Sequence, residues 1–211
     1  MGKYTGSMCR LCRVEGKKLF LKGRRCLSDR CAVEKKNYPP GMKGARVNFR
    51  KSHYKNQLRE KQKVKRFYGV GEKQFRNVFA AAAQKKGITG ETLLRTLELR
   101  LDNVAYRLNF DYSRNHARQM IRHGFFTVNG KNVNIPSYTV ALNDVISFRE
   151  KKRVAENVKA MLEDVKGLVE VPGWLLLDGA TCSAKVNALP TRDDVSLKEI
   201  EERLIVELYS K

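Results

Sequence analysis

Four of the five cysteines in this 211-residue chain lie in one short basic stretch, "CRLCRVEGKKLFLKGRRCLSDRC". From Cys9 through Cys12 and Cys26 to Cys31 the spacing is C-x2-C-x13-C-x4-C. Two close thiol pairs separated by a short insert suit a structural zinc site, with each pair on a tight turn and the insert folded back between them. Apolar residues are few here, essentially Leu11, Val14, Leu19, Phe20 and Leu21. A segment so poor in apolar surface does not fold on its own core, and metal binding supplies the missing free energy. The expected cofactor is zinc on Cys9, Cys12, Cys26 and Cys31, with an iron–sulfur cluster as the alternative for the same four thiolates. Four protein ligands leave no open position, which argues against catalytic zinc. Cys182 stands apart and is expected to be a buried small hydrophobe.

Charge points to the partner. The net charge is +21 and it is uneven. Residues 1–68 carry 21 basic and 4 acidic side chains, residues 69–150 carry 12 and 7, and residues 151–211 carry 10 and 11. An excess concentrated in one third of a chain favours a polyanion, most commonly nucleic acid. No apolar run approaches the ~20 residues that span a bilayer, and the first residues lack a signal-peptide core. The expectation is therefore a cytoplasmic protein with no membrane partner.

After the "YPPG" break at residues 38–41, the stretch from Ser52 to Tyr68 reads as a basic helix capped by Ser52. Tyr54, Leu58, Val64 and Phe67 form its sparse apolar stripe, and Lys55, Arg59, Lys63 and Arg66 cover much of the rest. So basic a helix repels itself unless phosphates neutralise it. "GEKQFRNVFAAAAQKKG" predicts a second helix that buries Phe75, Val78, Phe79 and Ala82 and ends at Gly87. "TGETLLRTLELRLDNVAYRLNF" carries a helical stripe from Leu93 to Leu108, and "SRNHARQMIRHG" a helix between Ser113 and Gly124. In that last helix Arg114, Arg118 and Arg122 recur at four-residue steps, a spacing that suits forked contacts to phosphates. Asn129-Gly130 between two β-rich runs predicts a hairpin, and "DVISF" a further strand. In the tail, residues 151–165 read as a helix, "WLLLD" as a strand with Trp174 as a core anchor, and "LIVELYS" as another strand. Near-neutral charge suggests that this tail packs on the helical domain.

"RLDNVAYRLNF", "SRNHARQMIRHG" and "TVNGKNVNIPSYTV" resemble the RNA-binding module named after small-subunit ribosomal protein four. "KYTG", "CRLCR", "YPPG", "LREKQKVKRFYGV", "KQFRNVF" and "LIVELYSK" extend the resemblance to the bacterial family of that protein, from Lys3 to Lys211. The resemblance implies a non-enzymatic structural component of the small ribosomal subunit. Such a protein is a primary binder of small-subunit (16S) ribosomal RNA that nucleates assembly of the subunit body. It contacts ribosomal protein five and other small-subunit proteins, which bears on translational accuracy, and it takes no small-molecule substrate. The resemblance also implies that basic residues after the Gly-rich turn line the channel through which messenger RNA enters. Arg46 and Arg50 match that pattern, whereas Val47, Asn48 and Phe49 depart from it.

The fold class expected is α+β, with an N-terminal metal knot, a helical domain, and a module of two helices with a small antiparallel sheet. The expected division is residues 1–45 for the knot and basic segment, 46–90 for the basic helical domain completed by 151–211, and 91–150 for the RNA-binding module. Candidate RNA contacts are Lys3, Tyr4, Arg10, Arg13, Lys22, Arg24, Arg25, Arg46, Arg50, Lys51, Lys55, Arg59, Lys61, Lys63, Lys65, Arg66, Arg114, Arg118, Arg122, His123, Asn129 and Lys131. His116 and His123 read as RNA-facing or solvated. An RNA-modifying enzyme is the competing reading. It finds no Ser/His/Asp order, Gly-rich phosphate loop or paired-carboxylate motif in the chain. Sequence-specific DNA binding through the knot lacks a recognition helix.

Overall fold

A computed structural model describes residues 4–42, 44, 52–150, 156–178 and 182–210. The chain divides into two compact units, Met1–Leu93 with Leu197–Lys211, and Leu94–Ser196.

The first unit is helical among its described residues. Helix α1 (Met8–Glu15) and two single turns, α2 (Arg24–Leu27) and α3 (Ala32–Lys35), surround Leu19, Leu21, Val33 and the thiols of Cys12, Cys26 and Cys31. Helix α4 (His53–Phe67) starts where the sequence places it, with the Ser52 hydroxyl accepting the Lys55 backbone N–H. Its buried face differs from the expected stripe: Gln57, Glu60, Lys61, Val64 and Phe67 point inward, while Tyr54 is exposed. The reason is that polar residues can line a buried face when each finds a partner. Gln57 donates to Glu207 at 2.9 Å and Lys61 to Glu72 at 2.6 Å.

Helix α5 (Glu72–Ala83) buries Phe75 and Ala82. It ends one turn before Gly87, which follows with φ 113° in the link to α6 (Thr89–Glu98). The C-terminal "LIVELYS" is helical, not extended: α10 (Glu202–Tyr209) packs along α4. Its β-branched residues favour a strand locally, but Ile205 and Tyr209 lie on one helical face. That face buries Ile205 and stacks Tyr209 on Phe79, ring centroids 4.5 Å apart.

In the second unit, the single helical stripe read from Leu93 to Leu108 is broken. Helix α6 stops at Glu98 and α7 (Leu101–Arg107) begins after the two residues Leu99 and Arg100. Residues 138–140 intervene: the Leu101 N–H donates to the Tyr138 carbonyl at 2.8 Å, and the Val140 N–H to the Leu99 carbonyl at 2.9 Å. Helix α8 (Arg114–Arg122) is capped by Ser113, whose hydroxyl accepts the His116 N–H. Strands β1 (Phe126–Val128) and β2 (Lys131–Asn132) form the expected hairpin, with positive φ at both Asn129 (50°) and Gly130 (74°), as a type I′ turn requires.

Beyond β3 (Val145–Phe148) comes the main difference from the expected division. Helix α9 (Glu156–Val165) and strands β4 (Leu175–Asp178) and β5 (Ser183–Val186) stay in this second unit, and only 197–211 returns to the first. The sheet is wholly antiparallel in the order β2-β1-β3-β5-β4, with Ile146 opposite Ala184. Short strands carry no label of the edge they will join, so a pairing between residues this far apart in sequence is settled only by three-dimensional packing. One core results, from Phe110, Ala117, Ile121, Phe126 and Phe148 through Val158 and Met161 to Trp174 and Val186. Trp174 is its anchor, as expected.

Candidate nucleic-acid interface

Helix α8 is the centre of the RNA-binding module read from the sequence. Its residues advance about 100° each, so a four-residue step overshoots a turn by about 40°. The row Arg114, Arg118, Arg122 therefore swings from the buried side to solvent: the first two are buried and Arg122 is exposed. Inside, Arg114 Nε donates to Asn103 Oδ1 at 2.7 Å and its guanidinium lies 4.5 Å from the Tyr106 ring centroid. Asn103 in turn donates to Glu98 at 2.6 Å, and Glu98 also pairs with Arg107. Asp102 takes two hydrogen bonds from Arg100, at 3.0 and 2.7 Å, and one from Arg118 at 3.4 Å. Burial lowers the Arg118 guanidinium from its ordinary value, against the pull of Asp102. The outward face of α8 carries His116, Gln119, Arg122 and His123.

The hairpin turn sits in the same unit. Asn129 and Lys131 are exposed. The Asn129 side chain also holds the turn to the start of β3, donating to Asp144 at 2.8 Å and accepting the Val145 N–H at 2.9 Å.

In the first unit, the charges of α4 are met by acids of the chain itself. Arg59 and Arg66 pair with Glu15, whose side chain is wholly buried; Lys63 pairs with Glu60, and Lys61 and Lys65 with Glu72. Burial raises the Glu15 carboxyl, and Arg59 and Arg66 oppose the shift. Lys61 is buried; Lys55, Arg59, Lys63, Lys65 and Arg66 are half-buried. Arg13 is engaged internally too, donating to the Tyr38 carbonyl at 2.9 Å with its guanidinium over the Tyr38 ring. Tyr4, Arg10, Lys22, Arg24 and Arg25 are exposed around the cysteine segment. Lys3, Arg46, Arg50 and Lys51 lie outside the described residues.

Cys9, Cys12, Cys26 and Cys31 do converge. All four line one cavity of about 10 Å³, with Lys22 and Arg25 at its edge. The Lys22 N–H points at Cys26 Sγ, 3.4 Å away. Burial pushes the Cys12 and Cys26 thiols up, and each feels its neighbouring cysteines. The donor set and a cavity of single-atom size fit one thiolate-bound ion. Among the described residues, however, no group of three or more His, Cys, Asp or Glu side chains is arranged to hold a metal. The knot expected from the spacing is thus seen as a gathering of four thiols around one small cavity.

Family models match along the chain in sequence order: "Ribosomal protein S4/S9 N-terminal domain" over residues 3–98 and "S4 domain" over residues 99–146. The chain belongs to the ribosomal protein S4 family. Its relatives include small ribosomal subunit protein uS4A of Alkaliphilus oremlandii, 56% identical over 211 residues and covering all of both chains. Small ribosomal subunit protein uS4 of Citrifermentans bemidjiense is 53% identical and that of Thermus thermophilus 50%, again over the whole of both chains. In this member of the S4 family, the S4 domain match spans α7, α8, the hairpin and the start of β3. Asp102 reads from the sequence as a helix residue paired with neighbouring arginines; what that reading missed is the burial of the Glu98–Asn103–Arg114 and Arg100–Asp102–Arg118 sets. The only signal for them was an acid beside an arginine in "RLDN", which carries no information on depth.

Proposed function

We propose that this chain is a primary binder of small-subunit ribosomal RNA that nucleates assembly of the subunit body. As an S4-family member it is a structural, ribosomal RNA-binding component of the small subunit in the cytoplasmic ribosome, and not an enzyme. The observation that carries the RNA contact is the outward face of α8, which sets His116, Gln119, Arg122 and His123 on the solvent side of a helix whose other arginines are locked inside. Exposed Arg10, Lys22, Arg24 and Arg25 add a second basic surface in the first unit. Affinity then comes largely from phosphates, with RNA shape supplying specificity. Neighbouring ribosomal protein five and messenger RNA at its channel into the subunit are the further partners, through which the protein affects accuracy.

The four convergent thiols support zinc as the resident metal, with Cys9, Cys12, Cys26 and Cys31 holding it. Bound there, zinc would order the basic segment and supply no reactive position.

Two measurements test these readings. Binding of small-subunit ribosomal RNA is titrated between 50 and 200 mM salt, where a site of six to ten phosphates loses roughly 10³–10⁵ in affinity. A flat response rejects a phosphate-dominated site. Elemental analysis of the purified protein is expected to give one zinc per chain without visible colour. Iron with a brown chromophore assigns the thiols to a cluster, and no metal at all rejects the cofactor.

A further inference from the structure

Two buried carboxylates brace α8, and they have chosen different partners. Asp102 is paired with arginines, which stay charged at any physiological pH. Asp111, in the turn between α7 and α8, is paired with the imidazole of His116. The Asp111 side chain has no solvent exposure, whereas that of His116 is 40% exposed. Asp111 Oδ1 meets His116 Nδ1 and also accepts the Tyr112 N–H at 2.8 Å.

With Nδ1 committed, the remaining polar atom of the ring is Nε2. In a neutral ring with its proton on Nδ1, Nε2 is an acceptor and has nothing to offer a phosphate; in the protonated ring it is a charged donor. The ring shares the outward face of α8 with Gln119, Arg122 and His123. A cation in the first turn of a helix opposes the helix dipole, so a nearby carboxylate is needed to hold it there.

We propose that His116 is a proton-dependent phosphate contact, and that Asp111 is the positioning residue that sets its charge and orientation. This rests on the RNA-binding reading above. The hydrogen bond that His116 donates to Asp111 raises the imidazole above its ordinary 6.5, with burial opposing. Burial pushes Asp111 itself up, and His116 and the Tyr112 and Ser113 N–H groups counter that. Asp164 on α9 also lies beside the pair, accepting from Tyr112 Oη at 3.2 Å, and the Tyr112 ring centroid is 5.8 Å from the imidazole. RNA affinity therefore falls as pH rises through the His116 titration.

The test uses the full chain carrying His53→Gln and His123→Gln, which leaves His116 as the one imidazole. Its ring titration is followed by NMR, and affinity for small-subunit ribosomal RNA is measured at fixed salt from about pH 6 to about pH 8.5. Affinity is expected to drop about tenfold, in step with the ring, as one charge-assisted hydrogen bond is lost. Asp111→Asn shifts both curves to lower pH. His116→Lys, whose charge does not titrate in this range, removes the pH dependence and retains the tight binding at high pH, which a merely structural histidine would not allow. Should Asp111→Asn fail to fold, the lysine variant carries the test alone. Affinity that ignores pH while the ring titrates overturns the proposal, as does a lysine variant that binds as weakly as His116→Gln throughout. A folded wild-type chain that binds the RNA at no pH rejects the RNA-binding reading itself.

Discussion

Lys61 Nζ donates to Glu72 Oε1 at 2.6 Å, and the Tyr209 hydroxyl reaches the same oxygen at 3.3 Å. Three helices, α4, α5 and α10, are thereby tied at one carboxylate, with Lys65 on its second oxygen at 2.9 Å. A lysine from the most basic part of the chain is neutralised by the chain itself.

Glu72 makes this junction acid-labile. Burial alone would raise its carboxyl, but the Lys61 and Lys65 hydrogen bonds overcome that and hold it at about 2. A folded-state value below the ordinary 4.5 means that the stabilisation is complete above that pH and is lost as pH falls towards 2. Tyr209 marks the opposite limit: burial and Glu72 push it up to about 12, so its contribution is complete below 10 and lost above. Melting temperature measured against pH should fall more steeply in acid for the wild-type chain than for Glu72→Gln. Parallel curves would show that this carboxylate does not couple protonation to folding.

Asp102 and Arg118 are expected to respond unequally to deletion. Asp102→Ala leaves the guanidinium groups of Arg100 and Arg118 buried without their carboxylate and costs about 3–5 kcal/mol in urea unfolding. Arg118→Ala leaves Asp102 with its two bonds from Arg100, so the loss is expected at about 1–2 kcal/mol, with the chain still folded. Equal losses would mean that Arg118 carries the site as much as its acid does.

Gly90 is held to hydrogen by its neighbour. A Cβ there would lie 2.7 Å from Glu202 Cγ and 2.9 Å from Glu202 Cβ. Alanine gains up to about 1 kcal/mol of helix propensity, but overpacking costs about 1–3 kcal/mol. Gly90→Ala should therefore destabilise the first unit, and Glu202→Gly in the same chain should restore it in a double-mutant cycle. A more stable single variant would show that α10 moves aside freely.

Cys26→Ser removes one of the four thiols around the small cavity. Residues 9–31 should become sensitive to limited proteolysis while residues 94–196, which have their own core, stay resistant. An unchanged digestion pattern would show that Leu19, Leu21 and Val33 order the segment without the thiol.

Local signals in the sequence determined the elements that rest on local physics. Ser52 and Ser113 cap helices because a hydroxyl beside free N–H groups needs no distant partner. Asn129-Gly130 makes the hairpin because both residues tolerate positive φ. The family motifs and the concentration of basic charge were equally plain. Tertiary structure alone decided which cations are available. Arg114 and Arg122 look alike in sequence, yet a 40° drift per four-residue step, and the Asn103 amide and Tyr106 ring arriving from α7, bury the first and leave the second exposed. It also decided that "LIVELYS" is a helix, because its face meets α4 and Phe79, and that β5 joins β3 across some forty residues of chain. Both outcomes depend on which distant surface is present to be buried, and periodicity along the chain does not encode that.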